Sequence, residues 1–310
     1  MRRYQLALAL AASLALVGCD YDGEGWGSST RYKEDFSETH ALAAGGRVFL
    51  ENFNGSVELL GWDRDSVEIT GTKYAASREV MEQMKIEVVS EPNSLRIRTI
   101  RPAVRNCNCG AKYVLRLPRK VTLDRIETSN GSLRAEALRG EARLRTSNGS
   151  LKVADFEGTL DASTSNGGVE VMGYRGHATL KTSNGRIRGT DLKGRIDATT
   201  SNGSIDATVA EPEAGLPLRF TTSNGSINVT LEKWVNTGLV ARTSNSSINL
   251  RLPEGVNAQL QASTSNGSIN TEFEVTTTQM SKNRLEGRMG AGGPLVDLAT
   301  SNGGIRVLRR

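Results

Sequence analysis

The sequence predicts an all-β protein whose body is a parallel β-solenoid with coils of about 18 residues. Three observations predict this fold. A tripeptide recurs at a fixed interval, apolar and polar residues alternate between its copies, and glycine follows most copies directly. Together they indicate a stack of short strands in which each copy of the tripeptide forms a corner.

Residues 1–18 have the pattern of a bacterial signal peptide. Arg2 and Arg3 precede an apolar stretch over 6–17 that is too short to remain as a membrane-spanning helix. The stretch ends in Leu-Val-Gly-Cys, which resembles the lipobox of bacterial lipoproteins, and Cys19 is therefore the predicted lipidation site. The alternative is an ordinary secretory signal with a chance cysteine. Asp20 resembles an inner-membrane retention signal, which favours the periplasmic side of the inner membrane over the outer membrane.

The segment 19–44 is predicted to be the lipidated N-terminus and a flexible tether, because most of it is rich in glycine, serine and charged residues. Residues 45–120 are predicted to form a capping region of short strands, and residues 121–310 the solenoid. Removal of Arg2 and Arg3 with the signal peptide lowers the formal charge from +5 to +3. With 37% hydrophobic and 5% aromatic residues, the chain suits a thin, elongated core.

The repeated tripeptide is Thr-Ser-Asn. The asparagines of successive copies stand 18 apart four times, then 22, 21 and 21 apart, and finally 36 apart. Ser246 replaces the glycine that follows the other copies. The predicted corner asparagines are Asn130, Asn148, Asn166, Asn184, Asn202, Asn224, Asn245, Asn266 and Asn302.

Two architectures fit the alternation. Asn-Gly between alternating strands also favours type I′ hairpins, which would give an antiparallel meander. That arrangement places Lys181 opposite Arg188 and Arg145 opposite Lys152, and like charges directly opposed are unfavourable. A parallel solenoid stacks threonine on threonine and asparagine on asparagine instead. Nine such coils would form a rod about 45 Å long.

The repeat also carries a family resemblance. Gly-Trp-Asp at 61–63, the recurrent Thr-Ser-Asn-Gly-Ser-Ile and the glycine-rich stretch 290–293 before the last copy are similar to the bacterial β-strand-repeat family labelled "putative adhesin". The resemblance covers roughly residues 45–308. It implies a β-helix-like solenoid and a function that is essentially unassigned.

Cys107 and Cys109 are the cysteines that remain after lipidation of Cys19. An oxidising envelope favours a disulfide between them. Free thiols, pairing with another protein, and a metal or redox role are the alternatives. A zinc site would need further ligands, and the chain has only His40 and His177. We therefore predict neither a metal nor a cofactor.

Each coil is expected to turn a second time about ten residues after its asparagine. The longer repeats place their extra residues at this second corner, over 210–217, 231–238, 251–257 and a detour over 271–293. Insertions on one side of a solenoid are typical of a binding face. An alternative for the tryptophan of this face is that it covers the core. The predicted face consists of Glu211, Glu213, Glu232, Lys233, Trp234 and Glu254.

Nine basic residues lie within 96–125 against one acid, Asp124. They could attract anionic lipid headgroups or an acidic glycan, or could simply protect the edges of strands. An enzyme is not predicted, because Asp155 and Asp191, like Asp161 and Asp197, would stand two coils, about 10 Å, apart.

The sequence thus predicts a non-enzymatic envelope lipoprotein with a rigid solenoid that serves binding or adhesion. The alternatives are a periplasmic structural or regulatory lipoprotein that docks to a membrane partner, and a polysaccharide-active enzyme. The predicted partners are the membrane, through Cys19, and an unidentified protein or glycan. A nucleic-acid partner is not predicted.

Overall fold

The computed structural model describes residues 32–104 and 107–310. The predicted signal peptide, Cys19, Asp20 and residues 19–31 of the predicted tether lie outside this range, as does Arg105.

Strands dominate the described chain, with one short helix. The N-terminal part comprises β1 (Tyr32–Ala41), β2 (Arg47–Asn54), β3 (Val57–Trp62), β4 (Ser66–Ala75), α1 (Arg78–Gln83), β5 (Lys85–Glu91), β6 (Ser94–Ile100) and β7 (Gly110–Pro118). The middle part comprises β8 (Lys120–Asn130), β9 (Leu133–Thr146), β10 (Leu151–Ser163), β11 (Val169–Lys181), β12 (Ile187–Thr199), β13 (Ile205–Pro212), β14 (Leu218–Thr221) and β15 (Ile227–Leu231). The C-terminal part comprises β16 (Leu239–Arg242), β17 (Ile248–Leu252), β18 (Ala258–Thr264), β19 (Ile269–Thr271), β20 (Val275–Ser281), β21 (Arg284–Met289), β22 (Leu295–Thr300) and β23 (Ile305–Arg309).

The coils pair in parallel, so the predicted solenoid is confirmed and the antiparallel meander is wrong. Leu151 is in register with Leu133, one repeat earlier in the chain, and with Val169, one repeat later. Parallel stacking also resolves the charge conflict of the meander. Lys152 lies beside Glu170, and their charged atoms are 3.6 Å apart.

Alternation of burial along each strand creates the core. In β10, Leu151, Val153, Phe156, Leu160 and Ala162 are buried, whereas the residues between them are exposed or partly exposed. Each coil contributes such a set, and the sets form one continuous apolar column along the stack. Because most of these side chains are small aliphatics, the column is thin, as the composition predicts.

The corner asparagines form a hydrogen-bonded ladder. In every step the Nδ2 amide of one asparagine donates to Oδ1 of the asparagine in the neighbouring coil, at 2.6–2.8 Å. All the amides point the same way along the axis. In stacking order the asparagine ladder is Asn54, Asn130, Asn148, Asn166, Asn184, Asn202, Asn224, Asn245, Asn302 and Asn266.

The corner threonines form a second row inside the stack. Thr164 is buried, and its Oγ1 donates to the carbonyl of Gly149 in the neighbouring coil at 2.9 Å. Glycine follows the ladder asparagine in every coil except that of Asn245, where Ser246 stands, and it permits this close stacking. A Cβ added to Gly167 would lie 1.9 Å from the carbonyl oxygen of Gly149, which no real contact allows.

The second corner uses backbone conformations that side chains rarely adopt. Gly158 and its equivalents have positive φ, 128° at this residue, and three residues earlier Asp155 has φ of 50°. Asp191 occupies the same position two coils on, also with φ of 50°. Aspartate tolerates the left-handed region better than most residues, so a turn role accounts for both acids.

Coil order at both ends of the rod differs from chain order. The coil of β2 and β3 lies between the coil of β6 and β7 and that of β8 and β9. The last coil, β22 and β23, is likewise inserted between β16–β17 and β18–β19. At both ends of the rod, neighbouring coils are therefore not consecutive in the chain. Eleven coils in all give a rod of about 50 Å.

Two segments correct the predicted layout. Residues 32–41, assigned to the tether, form β1 and pair antiparallel with β4 along its whole length. Both faces of β1 are largely exposed, so it lacks the apolar alternation that reveals a strand in sequence. The detour over 271–293 forms the β20–β21 hairpin, which pairs antiparallel with β18. The hairpin caps the outermost coil, that of β18 and β19, instead of widening the second corner.

The predicted capping region continues the same stack. Its β2 and β3 form a full coil, and Asn54 is the first step of the asparagine ladder. The antiparallel strands β4 and β5 cover the outermost coil at this end.

Candidate functional site

The corner face is the surface of Glu211, Glu213, Glu232, Lys233, Trp234 and Glu254. Its residues follow or end β13, β15 and β17, three parallel neighbours whose carboxyl ends reach the same edge of the stack. Parallel pairing therefore brings together residues that are more than 40 positions apart in sequence.

Trp234 joins two of the corner loops. Its ring packs on the apolar core while part of it remains exposed, and its Nε1 donates to the carbonyl of Asn257 at 3.1 Å. Asn257 also accepts a hydrogen bond from the backbone N–H of Ala291 through Oδ1, at 2.8 Å. The tryptophan thus covers the core where the corner widens, which is the structural alternative raised by the sequence.

Most charges of the corner face have a partner of opposite sign. Lys233 Nζ lies 3.6 Å from a Glu211 carboxylate oxygen, and Arg310 lies 3.1 Å from Glu232. His177 Nε2 is 2.6 Å from Glu213 Oε2. Exposed pairs of this kind contribute only about 0–1 kcal/mol each to stability. Their main consequence is that three of the four glutamates of the face have a basic neighbour.

Four members of the basic cluster over 96–125 pair with acids: Arg98, Arg116, Arg119 and Arg125. Arg116 pairs with Glu68 at 2.8 Å, and Arg119 pairs with Asp63 at 2.7 Å. The hydrogen bond and charge of Arg119 lower the pKa of Asp63 below its ordinary value. Since these side chains are exposed, each pair contributes only about 0–1 kcal/mol to stability.

Two arginines of this cluster lie over aromatic rings instead. The guanidinium of Arg96 is 4.7 Å from the ring centroid of Phe49, and that of Arg101 is 5.7 Å from Phe53. Such stacking orders the side chains but leaves their charge in place.

Cys107 and Cys109 are joined by a disulfide, with their Cα atoms 5.2 Å apart. Cys109 is fully buried in a small secondary core together with Ala75, Met81 and Met84. Its carbonyl accepts the Nδ2 hydrogen of Asn54 at 2.9 Å, so the disulfide loop terminates the asparagine ladder. The pair is thus the disulfide that the sequence favours, and its position is that of a structural clip at the end of the stack.

The acids weighed for catalysis do not converge. Asp155 and Asp191 belong to the second corner, and Asp161 stands 3.9 Å from Arg145. Within residues 32–104 and 107–310, no group of three or more His, Cys, Asp or Glu side chains could hold a metal ion.

A groove beside the Thr-Ser-Asn corner was not anticipated. It holds about 420 Å³ and crosses the first coils of the stack. Its only signal in the sequence is the charge three residues before each asparagine, at Glu51, Glu127 and Arg145. Polar and charged side chains line it: Glu51, Asn52, Arg125, Glu127, Thr128, Ser129, Arg145, Thr146, Ser147, Ser163, Thr164 and Ser165.

Asn52 takes the threonine position in this groove. It is 8% exposed, and its Nδ2 donates to the carbonyl of Ala111 at 2.8 Å. Its Oδ1 accepts no hydrogen bond within the described part of the chain. The oxygen is shielded from solvent, and therefore does not present itself to a ligand in the groove.

These features define a single-column parallel β-solenoid with an ordered corner and paired surface charges. The chain belongs to the Toastrack DUF4097 family, whose profile matches residues 63–308. The resemblance to an adhesin-like family of unassigned function is thereby confirmed. None of the curated proteins matches this chain.

Solved structures match this chain at low sequence identity. A "putative cell adhesion protein" from Clostridium sporogenes is 12% identical, with 89% of this chain and 100% of that chain covered and a TM-score of 0.22. A "putative adhesin" from Bacteroides fragilis is 8% identical, with 89% and 97% covered and a TM-score of 0.30. A "putative lipid binding protein" from Parabacteroides distasonis is 11% identical, with 88% and 96% covered and a TM-score of 0.30. Scores this low carry no functional argument.

None of the helices in the described residues is long and apolar enough to span a membrane.

Proposed function

We propose that this chain is a non-enzymatic lipoprotein of the cell envelope, anchored through Cys19, whose rigid solenoid presents a binding surface to a protein or glycan. The observation that carries the proposal is the alignment of three widened corners on one side of the stack, at the ends of β13, β15 and β17. The lipobox-like residues before Cys19 support the anchor.

Rigidity supports a scaffold role. The coils share backbone hydrogen bonds, an apolar column and two side-chain rows, so loops at one corner keep fixed spacings of about 4.8 Å. A surface held this way loses little conformational entropy when it binds a partner. A glycan-cleaving enzyme would need a converging pair of carboxylates, and of the two candidate pairs, Asp155 and Asp191 have a turn role instead.

The test is a charge reversal on the corner face. The double variant Lys233→Glu with Glu254→Lys changes two exposed side chains and leaves the core intact. Binding to a panel of immobilised neutral and anionic polysaccharides is measured for the purified chain carrying Cys19→Ser. We expect a polysaccharide bound by the parent chain to lose at least tenfold in affinity in the double variant.

The matched control is Arg188→Glu, an exposed charge reversal on the outer face of β12. Equal loss in both variants, or binding that survives the corner reversal, would contradict this face. Retention of the unsubstituted chain in the membrane fraction and release of the Cys19→Ser chain test the anchor separately. Continued membrane attachment of the substituted chain would refute lipidation at Cys19.

A further inference from the structure

The ends of the stack expose strands that have a neighbour on one side only. Among the described strands these are β1, β5, β19 and β20. An unpaired edge presents free N–H and C=O groups that can pair with another chain. The strand β19 has only three residues, so the three longer edges remain to be compared.

Charge distinguishes these three edges. The edge β1 carries Lys33, Glu34, Asp35 and Glu38, and β5 carries two glutamates and a lysine. Charged side chains on an edge hinder pairing with another strand. The strand β20, Val-Thr-Thr-Thr-Gln-Met-Ser over 275–281, contains no charged residue and no proline.

Exposure singles out the same strand. All residues of β20 from Thr276 to Ser281 are exposed. Met280 is 76% exposed, the highest value among the large hydrophobic residues of the described chain that lie open to solvent. Threonine and valine also favour the extended conformation. Thus β20 is a neutral, strand-forming edge that lacks the usual protection.

The location of β20 is the far tip of the rod. It pairs with β21, which in turn pairs with β18 of the outermost coil at this end. At the other end, β1 pairs with β4, which pairs with β7 of the outermost coil there. About 50 Å of stacked coils separate the two edges.

We propose that β20 pairs antiparallel with β20 of a second copy across a two-fold axis, and so joins two rods tip to tip. Self-pairing about Thr278 sets Thr276 opposite Met280 and Thr277 opposite Gln279. No like charges meet in this arrangement, and threonine pairs are favourable across antiparallel strands. An isologous contact of this kind closes on itself and stops at a dimer.

The contact is small. A register shift between Thr277 and Gln279 bends β20, and Thr278 Oγ1 donates to the carbonyl of Glu286 at 3.2 Å. A seven-residue edge buries far less than a stable interface, which covers about 1600 Å² in total, so association in free solution is weak. Many copies on facing surfaces would add such contacts through multivalency. The corner face plays no part in this pairing, and either proposal can fail alone.

Disulfide trapping tests the two-fold axis. Thr278→Cys is introduced into the full chain carrying Cys19→Ser, and Thr159→Cys, at an exposed threonine on the side of the rod, is the matched control. Opposed Cα atoms in antiparallel strands are about 4.5–5.5 Å apart, within the range of a disulfide. We expect Thr278→Cys to form covalent dimers at least tenfold faster than the control under mild oxidation.

A second variant guards against misfolding. Sedimentation at high protein concentration should show a monomer–dimer equilibrium in the Cys19→Ser chain. The variant Thr277→Lys places a charge on the edge of β20. Thr277→Lys should weaken dimerisation at least fivefold, while Thr159→Lys leaves it unchanged. Monomers at every concentration, dimers insensitive to Thr277→Lys, or a ladder of longer oligomers from head-to-tail pairing would each overturn the proposal.

Discussion

The Nδ2 amide of Asn302 donates to Oδ1 of Asn245 at 2.8 Å, although 57 positions separate the two residues. Asn266, which lies between them in sequence, stacks on the far side of Asn302 instead. The last coil of the chain is thus an interior coil of the rod. In chain order, the outermost coil of β18 and β19 comes first, and the capping hairpin β20–β21 follows. The strands β22 and β23 come last and lie between that coil and the coil of β16 and β17.

This insertion predicts different costs for two asparagines of the ladder. Asn302→Ala removes one donated and one accepted hydrogen bond, whereas Asn266→Ala at the end of the ladder removes only one. At about 0.5–1.5 kcal/mol for each bond, the interior change should lower the free energy of unfolding by about 2 kcal/mol and the terminal change by about 1. Urea unfolding measures both. Equal costs would contradict the interior position of Asn302.

Alanine substitution at two adjacent glycines should lower the free energy of unfolding by very different amounts. The Cβ of Gly167→Ala would lie 1.9 Å from the carbonyl oxygen of Gly149, so the two coils must separate. A loss of about 3 kcal/mol or more is expected, comparable to severe overpacking. Gly168 has ordinary φ, and its Cβ would be 3.1 Å from the nearest atom, in a position that other repeats fill with serine. Gly168→Ala should therefore cost less than about 1 kcal/mol in thermal or urea unfolding.

The threonine row should be sensitive to loss of a hydroxyl. In Thr164→Val the carbonyl of Gly149 loses the donor at 2.9 Å inside the stack. An unsatisfied buried acceptor costs about 1–3 kcal/mol, and the two side chains have nearly the same shape. Thr159→Val, at an exposed position, is the control and should remain within about 0.5 kcal/mol of the parent chain. A Thr164→Val chain as stable as the control would show that the row is dispensable.

Tyr113 should destabilise the fold at high pH. Burial raises its pKa to about 12, and its hydroxyl forms a 2.6 Å hydrogen bond with that of Thr99. Because the folded pKa exceeds the ordinary value of about 10, the unfolded chain loses this proton first. The contribution of Tyr113 is complete below pH 10 and is lost as pH rises to 12, by about 2–3 kcal/mol.

The measurement is the free energy of unfolding at several pH values between 9 and 12, for the parent chain and Tyr113→Phe. The variant should be less stable at pH 9, because Thr99 loses its partner, and should lose less stability than the parent chain on going to pH 12. Tyr174, whose pKa is also raised by burial, supplies part of the remaining decline. Parallel curves for the two proteins would contradict the assignment to Tyr113.

Part of the candidate site follows from the sequence. The longer intervals locate the widened corners, and parallel stacking then brings Glu211 beside Lys233. The contact of His177 with Glu213 does not follow, because the loop after β13 brings together side chains from coils that are two steps apart. The contact of Arg310 with Glu232 does not follow, because Arg310 comes from the last coil of the chain, whose place in the stack differs from chain order. The polar groove could not be predicted for the same reason, since its lining includes Glu51 from the inserted coil of β2.

The sequence by itself determined the coil: its length, its inward residues, and the roles of threonine, asparagine and glycine at the corner. Those features are local, because one coil meets the next through the same backbone and side-chain contacts wherever it stands. Only the tertiary structure decided which coil stacks on which. Each coil has the same register, so the repeat pattern fits many orders equally well. Connections through the hairpin β20–β21 and the strands β4 and β5 select one order, and with it the edges that the rod leaves open.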